Sequence, residues 1–402
     1  MTYGRGWMLS LCFVVVLLDG FDTSVVALVA PVLAGQWALA PAALTPAFVA
    51  TSVGAVVGYL LCGPATQRFS LRTIGLSSVV LFGAGTLASA LAADVTSLAL
   101  MRFVSAVGLG GALPIAVTVA TGLTPEKSRA TVAMLVATGL SAGGVVGGLV
   151  SGPLMLRFGW PAVFVVGGIL PLLLLPALWR MLGAADAARA ANVDGGGQGA
   201  VGALFADGLA PQTVLLWLFA FLIFLVTYAL SSWFPTLLIA FGFAPTDAPL
   251  AAAAFGAGGL VGNTLVMLIV GRAGIRPALT IAALCAVGCI VAIGGGLVAR
   301  SWLLAAIGVV GAGLITGCVG QSALAVSFYP AGLRTTGVGW AAASGRIGSI
   351  VGPAIGGALL SLGWPARDIL LTAAPPVLAA IVTLAALSFS ERRGGFARAA
   401  GR

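Results

Sequence analysis

A chain of 402 residues with 19 Lys and Arg, 10 Asp and Glu and no His carries charge on only 7% of its positions, against about 25% in an ordinary soluble domain. With 60% hydrophobic residues and a mean hydropathy of +1.15, its apolar surface exceeds what a globular interior can hide, so a bilayer must serve as solvent. Soluble enzymes and nucleic-acid binders are excluded, and the net charge of +9 reads as a membrane-orientation signal rather than a demand for a polyanionic partner.

Residues 1–7 hold one Arg and lead into an apolar run without an A-x-A cleavage pattern, which predicts a retained first span and no signal peptide. Hydropathy and helix breakers predict spans at 7–34, 43–64, 73–93, 96–123, 130–156, 160–182, 211–241, 248–270, 277–299, 301–328, 333–361 and 366–390. The fold expected is an all-α membrane protein of twelve transmembrane helices in two pseudo-symmetric six-helix bundles. Arg5, Arg68, Arg72, Lys127, Arg129, Arg180, Arg189, Arg272, Arg276, Arg334, Arg392, Arg393, Arg398 and Arg402 fall on the side of the termini, against Arg157, Arg300 and Arg367 on the other. By the positive-inside rule both termini are expected in the cytoplasm.

The longest connection, with Asp186, Asp194, Asp207 and the run Gly195-Gly196-Gly197, divides the spans six and six. It defines an N-terminal bundle at 1–182, a cytoplasmic linker at 183–210, a C-terminal bundle at 211–390 and a cytoplasmic tail at 391–402. Gly159-Trp160-Pro161-Ala162 recurs as Gly363-Trp364-Pro365-Ala366, and Arg129-Ala130-Thr131 as Arg334-Thr335-Thr336. Arg68, Ser70 and Arg72 likewise recur as Arg272, Gly274 and Arg276. Nearly one offset at equivalent loops points to a duplicated six-helix unit in parallel orientation, as in secondary transporters.

A charge inside hydrocarbon costs at least about 2.5–3.5 kcal/mol on insertion scales, so intramembrane charges are informative. Asp19 and Asp22 share one face of the first span, Arg102 lies in the fourth and Arg346 midway along the eleventh. Two neighbouring carboxylates in a low dielectric cannot both stay ionised at no cost, which poises one to load and release a proton. The alternative, Asp22 neutralising Arg102 as a structural ion pair, stays open at this stage. Arginine holds a carboxylate through its planar fork at any working pH, so Arg102 and Arg346 are the candidate substrate-holding cations. Tyr228, Trp233, Asn263 and Gln321 supply aromatic and polar lining suited to a ring-bearing substrate. Glycines crowd the fifth and eleventh spans, and Gly147 and Gly352 mark a candidate moving interface there. Five cysteines without a C-x-x-C pair, and no histidine, predict neither disulfide framework nor metal site, and no cofactor is expected.

At Asp19-Gly20-Phe21-Asp22-Thr23 the chain resembles the aromatic acid:proton symporter family of the major facilitator superfamily, whose first helix carries D-G-F-D. Arg102-Phe103, Gly108-Leu109-Gly110-Gly111-Ala112-Leu113-Pro114, Gly159-Trp160, Trp233-Phe234-Pro235-Thr236 and Phe328-Tyr329-Pro330 extend the resemblance. So do Arg334-Thr335-Thr336-Gly337-Val338-Gly339-Trp340 and, most specifically, Gly345-Arg346-Ile347-Gly348-Ser349-Ile350-Val351-Gly352-Pro353. The resemblance implies coupling aspartates at Asp19 and Asp22, and uptake of an aromatic or similar hydrophobic carboxylate with protons. The expected setting is a monomer in the bacterial inner membrane, with a small organic acid, the proton and lipid as its partners.

The superfamily's loop between the second and third helices usually reads G-x-x-x-D-R-x-G-R-R. Here it runs from Gly63 to Arg72 with Gln67 in place of the acid, Ser70 for the second glycine and Leu71 for one Arg. Gln67, Arg68 and Arg72 are therefore candidate gating residues with a weakened charge relay. The string from Gly348 to Gly357 matches a pattern of drug antiporters, which carry it in the fifth helix, so proton-driven efflux is the runner-up. A channel or uniporter leaves the paired aspartates unexplained, and no nucleophile with a base at helical spacing supports an enzyme.

Overall fold

The computed structural model describes residues 4–122, 124–125, 129–190, 201–206, 208–330 and 333–400. All long elements among them are helices: α1 (Arg5–Gln36), α2 (Thr45–Arg68), α3 (Leu71–Ser89), α4 (Val95–Gly122), α5 (Arg129–Ala137), α6 (Gly139–Phe158), α7 (Pro161–Leu173) and α8 (Leu175–Ala190). The second half adds α9 (Ala210–Ala240), α10 (Leu250–Ala273), α11 (Ile275–Gly294), α12 (Leu303–Phe328), α13 (Arg334–Ser361), α14 (Ala366–Leu371) and α15 (Ala374–Ala400). In lipid every backbone polar group must be satisfied internally, and these apolar runs do so as helices.

Among the described residues, ten segments are long and apolar enough to cross a bilayer, and the pair Pro161–Leu173 and Leu175–Asp186, bent by 43°, gives an eleventh. Pro176, which has no N–H and whose ring clashes with the carbonyl four residues back, accounts for that bend. The 28 residues of α13 complete the twelve, their hydropathy diluted by glycines, serines and Arg346. Two predicted boundaries shift: α8 runs on to Ala190 into the expected linker, and α15 continues to Ala400 through the expected tail. Residues 191–200 of that linker lie outside the described residues.

Local chemistry marks the helix ends. Asp94 Oδ1 accepts the Ser97 N–H at 2.7 Å and Ser97 Oγ accepts the Asp94 N–H at 3.2 Å, a reciprocal cap that opens α4. Hydrogen bonding from Ser97, chiefly its backbone N–H, holds the Asp94 carboxyl below its ordinary value. Gly159 and Gly363, the glycines of the repeated Gly-Trp-Pro, both turn the chain at positive φ, 78° and 73°. The duplication is thus visible in backbone conformation as well as in sequence.

The helices sort into two compact units, residues 1–194 with 232–256, and residues 195–231 with 257–402. Lipid offers no hydrophobic drive between helices, so close packing must hold each unit together. In the first, α1 crosses α6 backbone to backbone. A Cβ on Gly143 would stand 2.5 Å from the Phe21 nitrogen, and one on Gly20 would meet the Leu140 backbone. In the second, Gly348 and Gly352 bring α13 onto α9 in the same way.

Candidate functional site

Asp22 and Arg102 form a fully buried bidentate pair in the first unit. Arg102 Nη2 stands 2.9 Å from Asp22 Oδ2 and Nη1 3.0 Å from Oδ1, with no solvent exposure of either side chain. Nη2 also donates to the Asp22 backbone carbonyl at 3.0 Å. Thr86 on α3 donates to Asp22 Oδ1, and Ser105 on α4 donates to Oδ2 at 3.1 Å. Thr51 on α2 receives the Arg102 Nε–H at 3.5 Å. Four helices therefore converge on one charge pair. Burying two ions is tolerable only when the geometry is good and the remaining lone pairs are filled, and both conditions hold here.

The arrangement bears directly on two expected roles. The Arg102 fork is occupied by Asp22, so in this structure it presents no free face to a substrate carboxylate. Asp22, likewise, has both carboxylate oxygens engaged by Arg102, Thr86 and Ser105. Asp19, one turn earlier, is 4% exposed, and its Oδ1 accepts from Thr23 at 3.2 Å. The two carboxylates share a face of α1 but not a hydrogen-bond network of the same kind.

In the second unit Arg346 is half-buried on α13, and its Nη1 donates to the Tyr228 hydroxyl of α9 at 3.0 Å. Its guanidinium lies 5.8 Å from the Phe224 ring centroid, and Phe224 stacks on Tyr228 at 5.9 Å with 14° between planes. Phe224 was not singled out from sequence, although its i, i+4 spacing from Tyr228 is the signal that would have found it. Asn263 on α10 and Gln321 on α12 are 6% and 4% exposed. Neither polar atom of the Asn263 amide has a hydrogen-bond partner, nor has Gln321 Oε1. Trp233 belongs to the first unit, where it packs edge-on against Phe48 at 4.7 Å with 1% exposure.

The candidate gating residues divide as well. Arg68 ends α2, exposed, and the side chain of Gln67 lies outside the described residues. Arg72 places its guanidinium 3.3 Å from the Trp179 ring centroid on α8. The face of Gly147 abuts the Leu28 and Phe21 side chains of α1, whereas that of Gly352 abuts the backbone of α9 at Leu225 and Ala229. Both glycines pack their helix on a neighbour within one unit. Gly148 and Gly152 meet the 232–256 segment, where a Cβ would stand 2.5 Å from the Ala253 nitrogen and 2.5 Å from the Thr246 carbonyl oxygen, respectively.

Twelve membrane-length helical segments, with charges buried among them in a satisfied pair and an arginine–tyrosine contact, define a multi-pass membrane transport protein. The model of the Major Facilitator Superfamily matches residues 12–341. The chain is 34% identical over 388 residues to a gallate transporter of Pseudomonas putida, covering 89% of this chain and 86% of that one. It is also 34% identical over 385 residues to a 3-(3-hydroxy-phenyl)propionate transporter of Escherichia coli, covering 92% and 91%. Among solved structures, a D-xylose-proton symporter superposes with a TM-score of 0.73 at 19% identity, over 94% of this chain and 97% of that one. This chain belongs to the Major Facilitator Superfamily, a family of transporters and not of enzymes.

Proposed function

We propose that this transporter imports an aromatic or similarly hydrophobic carboxylate together with protons by alternating access, as a monomer in the bacterial cytoplasmic membrane with both termini inside. The observation that carries the reading is the cationic, ring-lined corner at Arg346. A planar fork beside a hydroxyl and two stacked rings suits a ligand with a carboxylate at one end and an aromatic face. The names of the gallate and hydroxyphenylpropionate transporters support the same substrate class. In this reading Asp19 loads and releases the coupling proton. Asp22 and Arg102, satisfied by one another, fix α1 against α3 and α4 so that Asp19 keeps its depth. Arg346, rather than Arg102, receives the substrate carboxylate.

The test is transport by the purified chain in proteoliposomes, with an acid exterior and radiolabelled 4-hydroxybenzoate outside. Accumulation above the external concentration, abolished by a protonophore, is the expected result. Equilibration insensitive to the protonophore indicates a uniporter, and net movement against the direction of proton entry indicates the efflux antiporter. Arg346→Lys keeps the charge but loses the fork, so its half-saturation concentration should rise about tenfold or more.

A further inference from the structure

The second unit holds a set of buried polar atoms that its own packing leaves unsatisfied. Asn263 Nδ2 and Oδ1, Gln321 Oε1 and Thr316 Oγ1 all lack hydrogen-bond partners, on side chains 6%, 4% and 1% exposed. An unsatisfied buried polar atom costs about 1–3 kcal/mol, and leucine at these positions would remove that cost. Native structures satisfy nearly all such groups, so a cluster of exceptions calls for a bound polar partner.

Their placement ties them to Arg346. A Cβ on Gly262, the neighbour of Asn263, would lie 2.5 Å from Thr316 Oγ1, so Asn263 and Thr316 stand at one crossing of α10 and α12. Two residues on from Thr316, Cys318 Sγ donates to Thr227 Oγ1 at 3.3 Å. Thr227 precedes Tyr228, the hydroxyl that receives the Arg346 guanidinium. One turn of α12, residues 316–318, thus touches both α10 beside Asn263 and the α9 residue beside the Arg346 partner.

The chemistry of the orphaned atoms selects their ligand. Asn263 Oδ1 and Gln321 Oε1 can only accept, so a carboxylate, itself only an acceptor, leaves them unsatisfied. A phenolic hydroxyl donates one hydrogen bond and accepts another, matching Oδ1 and Nδ2 of a single amide. We propose that Asn263, with Gln321 and Thr316, recognises a ring hydroxyl, so that the chain selects hydroxylated over unsubstituted aromatic carboxylates. This rests on the reading of Arg346 as the carboxylate holder.

The experiment is calorimetric titration of the purified full chain with benzoate and with 2-, 3- and 4-hydroxybenzoate. At least one hydroxylated isomer should bind about tenfold or more tightly than benzoate, because rejection of a ligand lacking the hydroxyl leaves buried polar groups unpaired. Asn263→Leu should bring that ratio close to one by weakening binding of the hydroxylated isomer, and Gln321→Leu should lower it in part. If the Asn263→Leu protein fails to fold, the ratio in the parent and in Thr316→Val decides. Benzoate and every hydroxybenzoate binding alike overturns this inference alone, as does a ratio unmoved by Asn263→Leu and Gln321→Leu, which would assign the amides to structural water. Failure of every aromatic acid to bind overturns the proposed function, and this inference with it.

Discussion

Asp186 caps the helix that begins at Leu71: its Oδ1 accepts the Leu71 N–H at 2.8 Å and its Oδ2 the Arg72 N–H at 3.1 Å. Ser70 Oγ takes the next donor, Thr73 N–H, at 3.0 Å. Three of the four N–H groups that a helix start leaves without intrahelical partners are met by side chains, and a negative charge sits at the positive end of the α3 dipole. The loop between α2 and α3 has Gln67, an uncharged residue, at the position where the resembled loop pattern implies an acid. A carboxylate from the far end of α8 supplies charge to that loop's last turn instead.

Asp186→Ala should therefore destabilise the protein by about 1–2 kcal/mol, the range of a lost cap plus its dipole interaction. Asp186→Asn should recover part of it. Melting of the three proteins in one detergent decides the matter, and an unchanged midpoint for the alanine variant would reduce the contact to an incidental one.

The two aspartates of α1 should part company under the same conservative change. Asp22→Asn leaves Arg102 buried without its counter-ion, which costs about 3–5 kcal/mol. Its signature is loss of folded protein. Asp19→Asn should give a folded protein with a near-parental melting point that binds substrate yet no longer accumulates it uphill. Normal uphill uptake by Asp19→Asn would remove it from the proton path, and a stable Asp22→Asn protein would contradict the ion-pair reading.

Alanine at the two candidate moving glycines should also give unequal results. Gly147 faces the ends of the Leu28 and Phe21 side chains at 2.9 and 3.2 Å, which can yield. Gly352 faces backbone, with the Ala229 nitrogen at 3.0 Å, which cannot. Overpacking at Gly352→Ala is expected to cost about 1–3 kcal/mol, with Gly147→Ala well below that. Equal melting points would show that α13 and α9 can separate freely.

Alkaline stability reports on Tyr329, whose hydroxyl donates to Thr213 Oγ1 at 2.9 Å while Thr213 donates to the Leu204 carbonyl at 2.6 Å. Burial raises this phenol above its ordinary 10.0. The folded chain then keeps a proton that the unfolded chain releases, so the contribution is complete below about pH 10 and is lost as pH climbs toward the raised value. Tyr329→Phe should weaken the protein at neutral pH by about 1 kcal/mol. It should also flatten the decline in melting point above about pH 10. A decline identical to the parent's would place the titrating group elsewhere.

The twelve-helix count, and the pairing of Asp22 with Arg102 as one of two readings left open, are legible in the sequence for the same reason. Charge is so costly in lipid that a handful of exceptions stand out against apolar runs. What surrounds that pair was not legible. Thr86, Ser105 and Thr51 are hydroxyls in apolar helices, where such side chains commonly bond their own backbone, as Thr51 does to Ala47 and Thr227 to Ile223. The fall in hydropathy places Asp186 in the linker, yet α8 continues as a helix past the apolar run and carries it to α3. The burial of Trp233 against Phe48 needed tertiary packing that no local pattern encodes.

The separation of Asp22 from Arg102 by 80 residues has a consequence for biosynthesis. The ribosome delivers α1, with two carboxylates in its apolar run, while Arg102, the cation paired with Asp22, is still two helices and several loops from being made. At about 2.5–3.5 kcal/mol per charge in lipid, α1 is a poor candidate for early release from the insertion machinery. Its release into lipid is expected to follow the arrival of α4, which completes the pair. Nascent chains cut short before Arg102 would therefore be left with an unneutralised first helix, a mark by which membrane proteases could recognise them. Asp22→Leu would insert more readily as a nascent segment while ruining the finished bundle.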